Sequence, residues 1–345
     1  MALPIDLRSD TVTRPTPGMR EAMMRATDED DVIGRDPTCI ALEEKAAELL
    51  GKEAALFVPS GTMANQICIK VHTRPGQEVF CAAKAHIVTT ELSMMAALSG
   101  VQPHPLPAPQ GWFTAADLES EWPTEEFWVA PVGLVEVENT MNAAGGRVFP
   151  QPILEEVCHF AHARGVPVHL DGARIFNAAV ASGRSAAEIA APVDSVAFCL
   201  SKGLGAPVGS LVLGTASFIQ EARRVRQMMG GGMRQVGFLC AAGLYALDHH
   251  IERLAEDHAN ARFLAEELAH IDGLRLDLER VETNMVYFDP RGTGLSTEEF
   301  IRRLWDRGVL TLGGRDHIRL VTHLGVTRQD VARAVDLIAE VARGR

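Results

Sequence analysis

The sequence lacks the features that mark membrane and secreted proteins. Its two long charge-free segments, residues 92–116 and 203–220, are interrupted by glycine and proline, so neither predicts a membrane span. The first ten residues contain no basic region followed by an apolar stretch, which argues against a secretory signal. We therefore expect a cytoplasmic protein with no membrane partner.

Positive charge, paired cysteines and metal-binding motifs are also scarce. The chain carries 33 Lys and Arg against 45 Asp and Glu, and no basic patch offsets the net charge of −12, so no nucleic-acid partner is expected. Its six cysteines include no Cys-x-x-Cys pair, which is typical of reduced core residues in a cytosolic protein. Its histidines form no His-Glu-x-x-His or Cys/His cluster, and we predict no metal site.

What the sequence does contain is an alternation of short apolar runs with helical periodicity. The apolar runs lie at residues 54–58, 79–81, 133–137, 166–170, 195–200 and 210–213. Short buried strands separated by helices predict an α/β domain with a mostly parallel sheet. We assign this large domain to residues 1–250, with segment 1–20 contributing to its active site, and a smaller α+β domain to residues 251–345. Hydrophobic residues make up 47% of the chain, which suffices for two cores.

Further elements follow from periodicity and from residues that begin or end helices. Pro37 begins a helix that Gly51 ends, and another helix runs from the Ser60-Gly61-Thr62 turn to about residue 70. The remaining predicted elements are helices at 91–98 and 152–164, one long amphipathic stretch at 236–271, strands at 274–278, 285–288 and 318–322, and helices at 297–307 and 327–343.

Polar residues with catalytic potential follow two successive predicted strands. Ser201 and Lys202 follow the fifth apolar run, where a lysine could form an imine with an aldehyde cofactor. Asp171 follows the fourth run, where a carboxylate could hold the pyridinium nitrogen of pyridoxal phosphate (PLP). Parallel strands end at one edge of a sheet, so both residues could flank one cofactor, with Arg174 as a nearby cation. Taken singly, Lys202 could be a surface lysine and Asp171 a helix cap.

An anion site is predicted where the helix after residue 60 begins. Backbone amides at a helix N-terminus, together with Gly61 and the Thr62 hydroxyl, suit a phosphate group, although many helices begin in this way. Residues 230–235 form a glycine-rich loop whose Arg234 could reach a phosphate, also across a subunit contact. The same loop could instead serve only as a hinge before the long amphipathic stretch.

Two further residues, His86 and Arg319, have two interpretations each. His86 follows the second apolar run, where its ring could stack on a cofactor and relay protons, or could be an ordinary interior histidine. Arg319 lies in an otherwise apolar strand, and a buried cation needs a partner. That partner could be a substrate carboxylate or a protein carboxylate such as Asp316 or Asp330.

Seven segments of the chain together resemble the low-specificity L-threonine aldolases, and the resemblance spans nearly the whole sequence. The segments are DLRSDTVT at 6–13, GRDPT at 34–38, PSGT at 59–62, LDGARIFN at 170–177, LSKGLG at 200–205, GGGMRQ at 230–235 and RLVTH at 319–323. The resemblance implies a PLP-dependent transferase-like fold and cleavage of L-threonine, L-allo-threonine or a related β-hydroxy-α-amino acid to glycine and an aldehyde. It also implies a homo-oligomer, a dimer of dimers.

The resemblance further implies a role for each candidate residue. Lys202 would bind PLP covalently, Asp171 would hold its pyridinium nitrogen, and His86 would stack on its ring. The remaining cofactor contacts would come from Gly61, Thr62, Arg174, Ser201 and, from a neighbouring subunit, Arg234. The substrate carboxylate would be held by Ser9, Arg174 and Arg319.

The sequence departs from the family where a substrate side chain would be recognised. Family members usually have a histidine after Glu-Asn-Thr, and this chain has Met141 there. Aromatic residues usually lie between the equivalent of His86 and the next glutamate, and residues 88–90 are Val-Thr-Thr here; Leu92-Ser93 replaces a small pair. A thioether cannot take a proton, so Met141 leaves His86 as the expected acceptor of the β-hydroxyl proton.

Two other functions fit parts of this pattern. The same fold and cofactor could support β-elimination or transamination of another small amino acid, which product analysis distinguishes. A PLP-binding regulatory protein would usually carry an added DNA-binding or partner domain, and the sequence has neither a basic helix nor spare length for one.

Overall fold

The computed structural model describes residues 4–344. Within them the strands are β1 Ile5–Asp6, β2 Ala54–Val58, β3 Glu78–Ala82, β4 Gln102–Leu106, β5 Val132–Glu138, β6 Val168–Asp171, β7 Ser195–Cys199, β8 Ser210–Gly214, β9 Met285–Phe288, β10 Val309–Leu310, β11 Leu312–Gly313 and β12 Ile318–Val321. The α-helices are α1 Pro17–Met24, α2 Pro37–Leu50, α3 Gly61–His72, α4 His86–Thr89, α5 Ala115–Glu121, α6 Gln151–His162, α7 Ile175–Ser182, α8 Ala186–Ala190, α9 Ala216–Met228, α10 Gly237–His249, α11 Leu254–Leu268, α12 Thr297–Asp306 and α13 Arg328–Ala342.

A seven-stranded sheet in the order β2-β8-β7-β6-β5-β3-β4 forms the centre of the large domain. Strand β8 is antiparallel to its neighbours β2 and β7, and the other neighbouring strands are parallel. The predicted α/β class with a mostly parallel sheet is therefore confirmed. Asp171 at the end of β6 is level with Glu138 on β5 and Ala197 on β7, so the carboxyl ends of three strands meet at one edge.

Buried apolar residues form separate cores around this sheet and in the C-terminal part of the chain. The C-terminal core includes Ile5 and Leu7, because β1 pairs in parallel with β10. The segment after β1 then returns to the large sheet, where the Thr13 hydroxyl donates to the Lys202 carbonyl at 3.0 Å. The domain boundary at residue 250 stays a prediction.

Helix α2 shows how local sequence sets the element bounds. The Asp36 side chain accepts hydrogen bonds from the N–H groups of Thr38 and Cys39, and Pro37 occupies the first helical position. Gly51 ends the helix at φ 62°, a left-handed conformation that glycine adopts without steric cost. The predicted start and end of this helix are confirmed.

Three predicted elements were wrong. The stretch 236–271 is two helices, α10 and α11, because the chain turns at 250–253, where the His250 ring binds the Leu204 carbonyl. Residues 274–278 form no strand, since Asp277 turns the chain by accepting from the Glu279 N–H and a 3-10 turn follows. The helix predicted at 91–98 is replaced by left-handed residues at 92 and 93 and a short π-helical turn at 95–99.

No helix among residues 4–344 combines the length and the apolar character that crossing a membrane requires.

Candidate active site

A buried hydrogen-bonded group surrounds Asp171 at the carboxyl ends of β5 and β6. His86, Glu91 and Asp171 each have one side-chain oxygen or nitrogen that lies within 4.8 Å of such an atom on the other two residues. Asp171 Oδ2 accepts from Asn65 Nδ2 at 2.7 Å, and Oδ1 accepts from the Ala173 N–H at 3.0 Å. Glu91 Oε1 accepts from Asn65 Nδ2 at 3.0 Å. The spacing resembles that of metal ligands, and in this structure Glu91 Oε1 and both oxygens of Asp171 accept hydrogen bonds from the protein.

His86 is held by glutamates on two sides. Its Nδ1 lies 2.7 Å from Glu91 Oε1, and its backbone N–H donates to Glu138 Oε2 at 2.9 Å. Because a carboxylate only accepts, Nδ1 carries the hydrogen, and Nε2 is the nitrogen left to accept a proton. The hydrogen bond to Glu91 raises the pKa of His86, and burial raises the pKa of Glu138 to about 7.

Lys202 lies in the turn after β7, half-buried, and lines a small cavity with Arg174, Asn177 and Cys199. Its positive charge acts on His86 and on Asp10, both of which therefore lie near it. The structure thus brings Lys202 to the edge of the sheet where Asp171 and His86 lie, and Ser201 precedes it in the same turn.

Arg174 forms a buried pair with Asp10, a residue that the sequence interpretation did not select. Its Nε and Nη2 donate to the two Asp10 oxygens at 2.7 Å each. Burial opposes ionisation of Asp10, but Arg174 outweighs it and holds the pKa of Asp10 well below its usual range. Ser9 caps the short 3-10 turn that begins at Asp10, so the predicted substrate-binding residues Ser9 and Arg174 lie close together. A ligand of Arg174 must use Nη1 or the second Nη2 hydrogen, or displace Asp10.

Arg319 has neutral partners only. Its Nη1 donates to Asn142 Oδ1 and its Nη2 to the Arg8 carbonyl, each at 3.0 Å, while its buried Nε has no hydrogen-bond partner. The two competing carboxylates are engaged elsewhere, Asp316 with His317 and Asp330 with the Thr327 cap of α13. Among the described residues Arg319 therefore has no carboxylate partner, and a guanidinium in this state favours an anionic ligand.

The predicted phosphate site lies at the start of α3. Ser60 caps this helix by accepting from the Met63 N–H, and the first-turn amides at Gly61 and Thr62 have no intrahelical acceptor. A Cβ on Gly61 would lie 2.8 Å from Cys199 Sγ, so only glycine allows the helix to begin this close to β7. The glycine-rich loop packs on the same turn, since a Cβ at Gly231 would meet Met63 Sδ at 2.3 Å.

Arg234 extends from this loop to the surface. It binds Asp30 at 3.0 Å, and its side chain is 56% exposed. Within one chain, therefore, the Arg234 side chain pairs with an acidic residue. A role across a subunit contact stays a prediction.

Met141 lies at the wall of an open cleft of about 680 Å³ between the large sheet and the C-terminal part. Its side chain is buried against Gly111, and the cleft is also lined by Lys84, Met285 and Tyr287. The next residue, Asn142, binds Arg319 through its side chain and Tyr287 through its carbonyl. Met141 is therefore adjacent to the Arg319 end of the site.

Sequence interpretation missed several residues that complete the site, and signals for some of them were present. Glu138 ends a predicted strand as Asp171 does, so the strand-end rule applied to it equally. Asn65 is a polar residue in an apolar stretch of α3, which marks a buried hydrogen-bonding role. Nothing local distinguishes Asp10 or Asn142, because their partners come from distant segments, and Glu91 binds the distant Asn65 as well as the nearby His86.

Comparison with known proteins identifies the family. The β-eliminating lyase family matches residues 6–291. Low-specificity L-threonine aldolase 1 of Arabidopsis thaliana is 44% identical over 335 residues, which cover 95% of this chain and 93% of that protein. The low specificity L-threonine aldolase of Escherichia coli K12 is 43% identical over 330 residues, 95% and 96% of the two chains. This chain belongs to the low-specificity L-threonine aldolase family.

Solved structures confirm the fold. The threonine aldolase of Leishmania major has a TM-score of 0.83 at 22% identity and covers 98% of this chain and 100% of its own. The serine palmitoyltransferase of Sphingomonas wittichii has a TM-score of 0.76 at 18% identity, over 99% and 88% of the two chains. Family membership confirms the predicted cofactor, PLP, and the predicted enzyme class, a carbon–carbon lyase.

The residues present fit PLP. A buried carboxylate, Asp171, ends the strand beside the one that Lys202 follows, as pyridinium and aldehyde partners require. Unpartnered first-turn amides at Gly61 and an unpartnered nitrogen on Arg319 offer donors for a phosphate and a carboxylate.

Proposed function

We propose that this enzyme cleaves L-threonine, L-allo-threonine or a related β-hydroxy-α-amino acid to glycine and an aldehyde, with the active-site residues in the roles predicted from the sequence. The observation that carries the proposal is the carboxylate of Asp171, which is held by hydrogen bonds and lies beside His86. Asp171 ends the strand next to the one that Lys202 follows. Bound PLP supplies the electron sink that makes the Cα–Cβ bond labile. The names of the Arabidopsis and Escherichia coli relatives support the reaction.

The large domain holds the cofactor in this proposal. Lys202 would bind it covalently, Asp171 would keep its ring nitrogen protonated, and His86 would stack on the ring. The phosphate would be held at the start of α3 by donors of Gly61 and Thr62, and Ser201 would supply a further contact. Further cofactor contacts come from Arg174 and, from a neighbouring subunit, Arg234.

The substrate end uses cations and one base. Arg319 binds the α-carboxylate through its free Nε and by exchanging its neutral partners, and Ser9 and Arg174 border the same region. His86 Nε2 takes the β-hydroxyl proton as the Cα–Cβ bond breaks. Glu91, which binds Nδ1, then stabilises the doubly protonated ring.

We also propose that the enzyme works as a dimer of dimers in the cytoplasm. Large apolar side chains on the surface support self-association, among them Ile33 at 84% and Leu92 at 91% exposure. A mixing experiment tests the shared site. If Arg234 serves the neighbouring subunit, inactive Lys202→Ala and Arg234→Ala proteins should regain activity when refolded together, because one hybrid site then carries neither change. No regain at any mixing ratio would contradict sharing.

The reaction itself is tested by following spectrum and products together. The purified enzyme with PLP should change its visible spectrum with L-threonine, L-allo-threonine and glycine, and release glycine and acetaldehyde in equal amounts from the first two. Release of a 2-oxo acid and ammonia would instead identify β-elimination, and exchange of the amino group would identify transamination. Lys202→Ala protein is the control for cofactor chemistry that occurs without the enzyme.

A further inference from the structure

A continuous chain of hydrogen bonds runs from Asp171 away from the cofactor side, across the large domain. Asn65 Nδ2 lies 2.7 Å from Asp171 Oδ2, and Asn65 Oδ1 lies 3.2 Å from His169 Nε2. His169 Nδ1 lies 2.9 Å from Ser195 Oγ, which is 2.8 Å from His72 Nε2. We call Asn65, His169, Ser195 and His72 the relay.

The fold places these side chains on one face by simple periodicities. His169 and Asp171 are two residues apart on β6, so both point to the same side of the sheet. Ser195 on β7 is level with His169. Asn65 and His72 are seven residues apart on α3, hence on one face of the helix that packs against these strands. The mechanism proposed above uses none of the relay residues except through Asp171.

The hydrogen atoms of the relay can be assigned from its ends. The Asn65 amide nitrogen faces two carboxylates, Asp171 and Glu91, which only accept, so the Asn65 oxygen faces His169 and His169 Nε2 must donate. Burial lowers the pKa of His169 to about 4, so its ring is neutral near pH 7 and Nδ1 accepts from the Ser195 hydroxyl. Ser195 Oγ is then the acceptor for the His72 N–H.

Every donor in the relay therefore points towards Asp171. Aligned hydrogen bonds polarise one another, and the low dielectric of a buried chain strengthens the effect. The outer end is anchored, since the His72 ring stacks on Phe218 with centroids 4.6 Å apart, and burial lowers the pKa of His72 to about 4. The relay thus delivers one strengthened hydrogen bond to Asp171 Oδ2, and a donor to a carboxylate lowers its proton affinity.

We propose that His169 and Ser195 are positioning residues that act through Asn65 to fix Asp171 and to keep the shared proton on the cofactor nitrogen rather than on the carboxylate. The proposal rests on the role assigned to Asp171 above. Without the relay, Asp171 gains proton affinity, the ring loses positive charge, and the electron sink weakens. Other titratable groups act on the same site and must stay unchanged in the test: Cys68, His86, Glu91, Glu136 and Glu138.

The test uses a graded set of variants in the PLP-loaded enzyme. His169→Leu removes both ring nitrogens, Ser195→Ala breaks the relay one bond further out, and His169→Gln keeps an N–H that can reach Asn65. The readout is the pH midpoint of the visible absorption band of the cofactor bound at Lys202, with kcat measured in parallel. A less positive ring lets the nitrogen contributed by Lys202 keep its proton to higher pH.

We expect His169→Leu to lower kcat about tenfold, the size of one charge-assisted hydrogen bond, and to raise the midpoint by about one pH unit. Ser195→Ala should shift both in the same direction by less, and His169→Gln should stay near the wild-type values. Ile67→Val, which alters a buried side chain on the same helix, should lower the melting temperature without moving the midpoint.

Asp171→Asn, measured beside these variants, separates the two ways in which the proposal can fail. If Asp171→Asn moves the midpoint while His169→Leu and Ser195→Ala do not, the relay only fills space and the proposal is overturned, although the role of Asp171 stands. If Asp171→Asn leaves the midpoint unchanged, the role of Asp171 is wrong and the relay proposal falls with it. Should His169→Leu fail to fold, Ser195→Ala and His169→Gln decide the outcome.

Discussion

The two ends of the active site are built differently. At the cofactor end, Asp171, Asn65, Glu91 and His86 satisfy one another with hydrogen bonds between 2.7 and 3.0 Å, and all belong to the large domain. At the substrate end, Arg319 comes from the C-terminal part and keeps a buried nitrogen without a partner among the described residues. It binds Asn142, whose neighbour Met141 lies in the wall of an open cleft.

The cofactor end is therefore pre-organised, whereas the substrate end can adapt to different ligands. A fully bonded network has one low-energy arrangement, which suits a cofactor whose orientation must not vary. An under-satisfied cation beside an open cleft can accept carboxylates attached to different side chains. The departure from the family at Met141 falls beside the Arg319 end, whereas those at residues 88–93 flank Glu91 of the cofactor end.

The largest effect is expected from removing the covalent anchor of the cofactor end. Lys202→Ala should abolish cleavage, by at least about four orders of magnitude in kcat, because among residues 4–344 no other lysine lines the small cavity beside Arg174. The melting temperature should stay close to that of the wild type. Borohydride reduction followed by peptide mapping measures the anchor directly, with Lys84→Ala as control. PLP trapped in the Lys202→Ala protein at the normal yield would contradict the assignment.

Asp171→Asn tests whether the cofactor end depends on charge or only on shape. The amide keeps the size of the side chain but not its charge, so kcat should fall by roughly 10²- to 10⁴-fold while PLP still binds. Turnover and PLP affinity are measured together, and Asp257→Asn, a buried aspartate bound to Arg253, controls for the loss of a buried charge. Unchanged turnover would remove Asp171 from its role at the ring nitrogen.

The same contrast explains what the sequence could predict. Asp171 and Lys202 were selected because parallel strands end at one edge of the sheet, which is a rule of local sequence and topology. Asn65 was missed because its role depends on meeting Asp171, 106 residues away. The helix predicted at 91–98 was wrong for a similar reason, since Glu91 is committed to buried bonds with His86 and Asn65.

Arg319 illustrates a choice that sequence alone could not make. Asp316 and Asp330 were both plausible partners by proximity in the chain. The structure excludes them because each is bonded within its own segment, Asp316 to His317 and Asp330 to Thr327. Which partner each aspartate binds depends on its rotamer and on the local turn, and sequence periodicity predicts neither.

Arg319→Ala probes the substrate end and should act on binding. Loss of a charge-assisted contact worth about 1.5–3 kcal/mol should raise KM roughly 10- to 150-fold for every amino-acid substrate, with the cofactor spectrum unchanged. Steady-state kinetics on L-threonine and L-allo-threonine give the measurement. Arg302→Ala, which removes an exposed arginine paired with Glu299, is the matched control. A normal KM with a lower melting temperature would mean that Arg319 only supports Asn142 and the Arg8 carbonyl.

The smallest and most specific effect concerns Met141, the position at which the family resemblance implies a histidine. If position 141 faces the β-hydroxyl, Met141→His adds one hydrogen bond worth about 0.5–1.5 kcal/mol and should change the L-threonine to L-allo-threonine ratio of kcat/KM by up to roughly tenfold. Met285→His places an imidazole in the wall of the same cleft and should leave the ratio alone. His86→Phe completes the test. Because this chain has no histidine at position 141, the loss of His86 should remove nearly all cleavage while PLP stays bound. An unchanged ratio in Met141→His would show that position 141 does not face the β-hydroxyl. Substantial cleavage by His86→Phe would show that the hydroxyl proton leaves through a group other than His86.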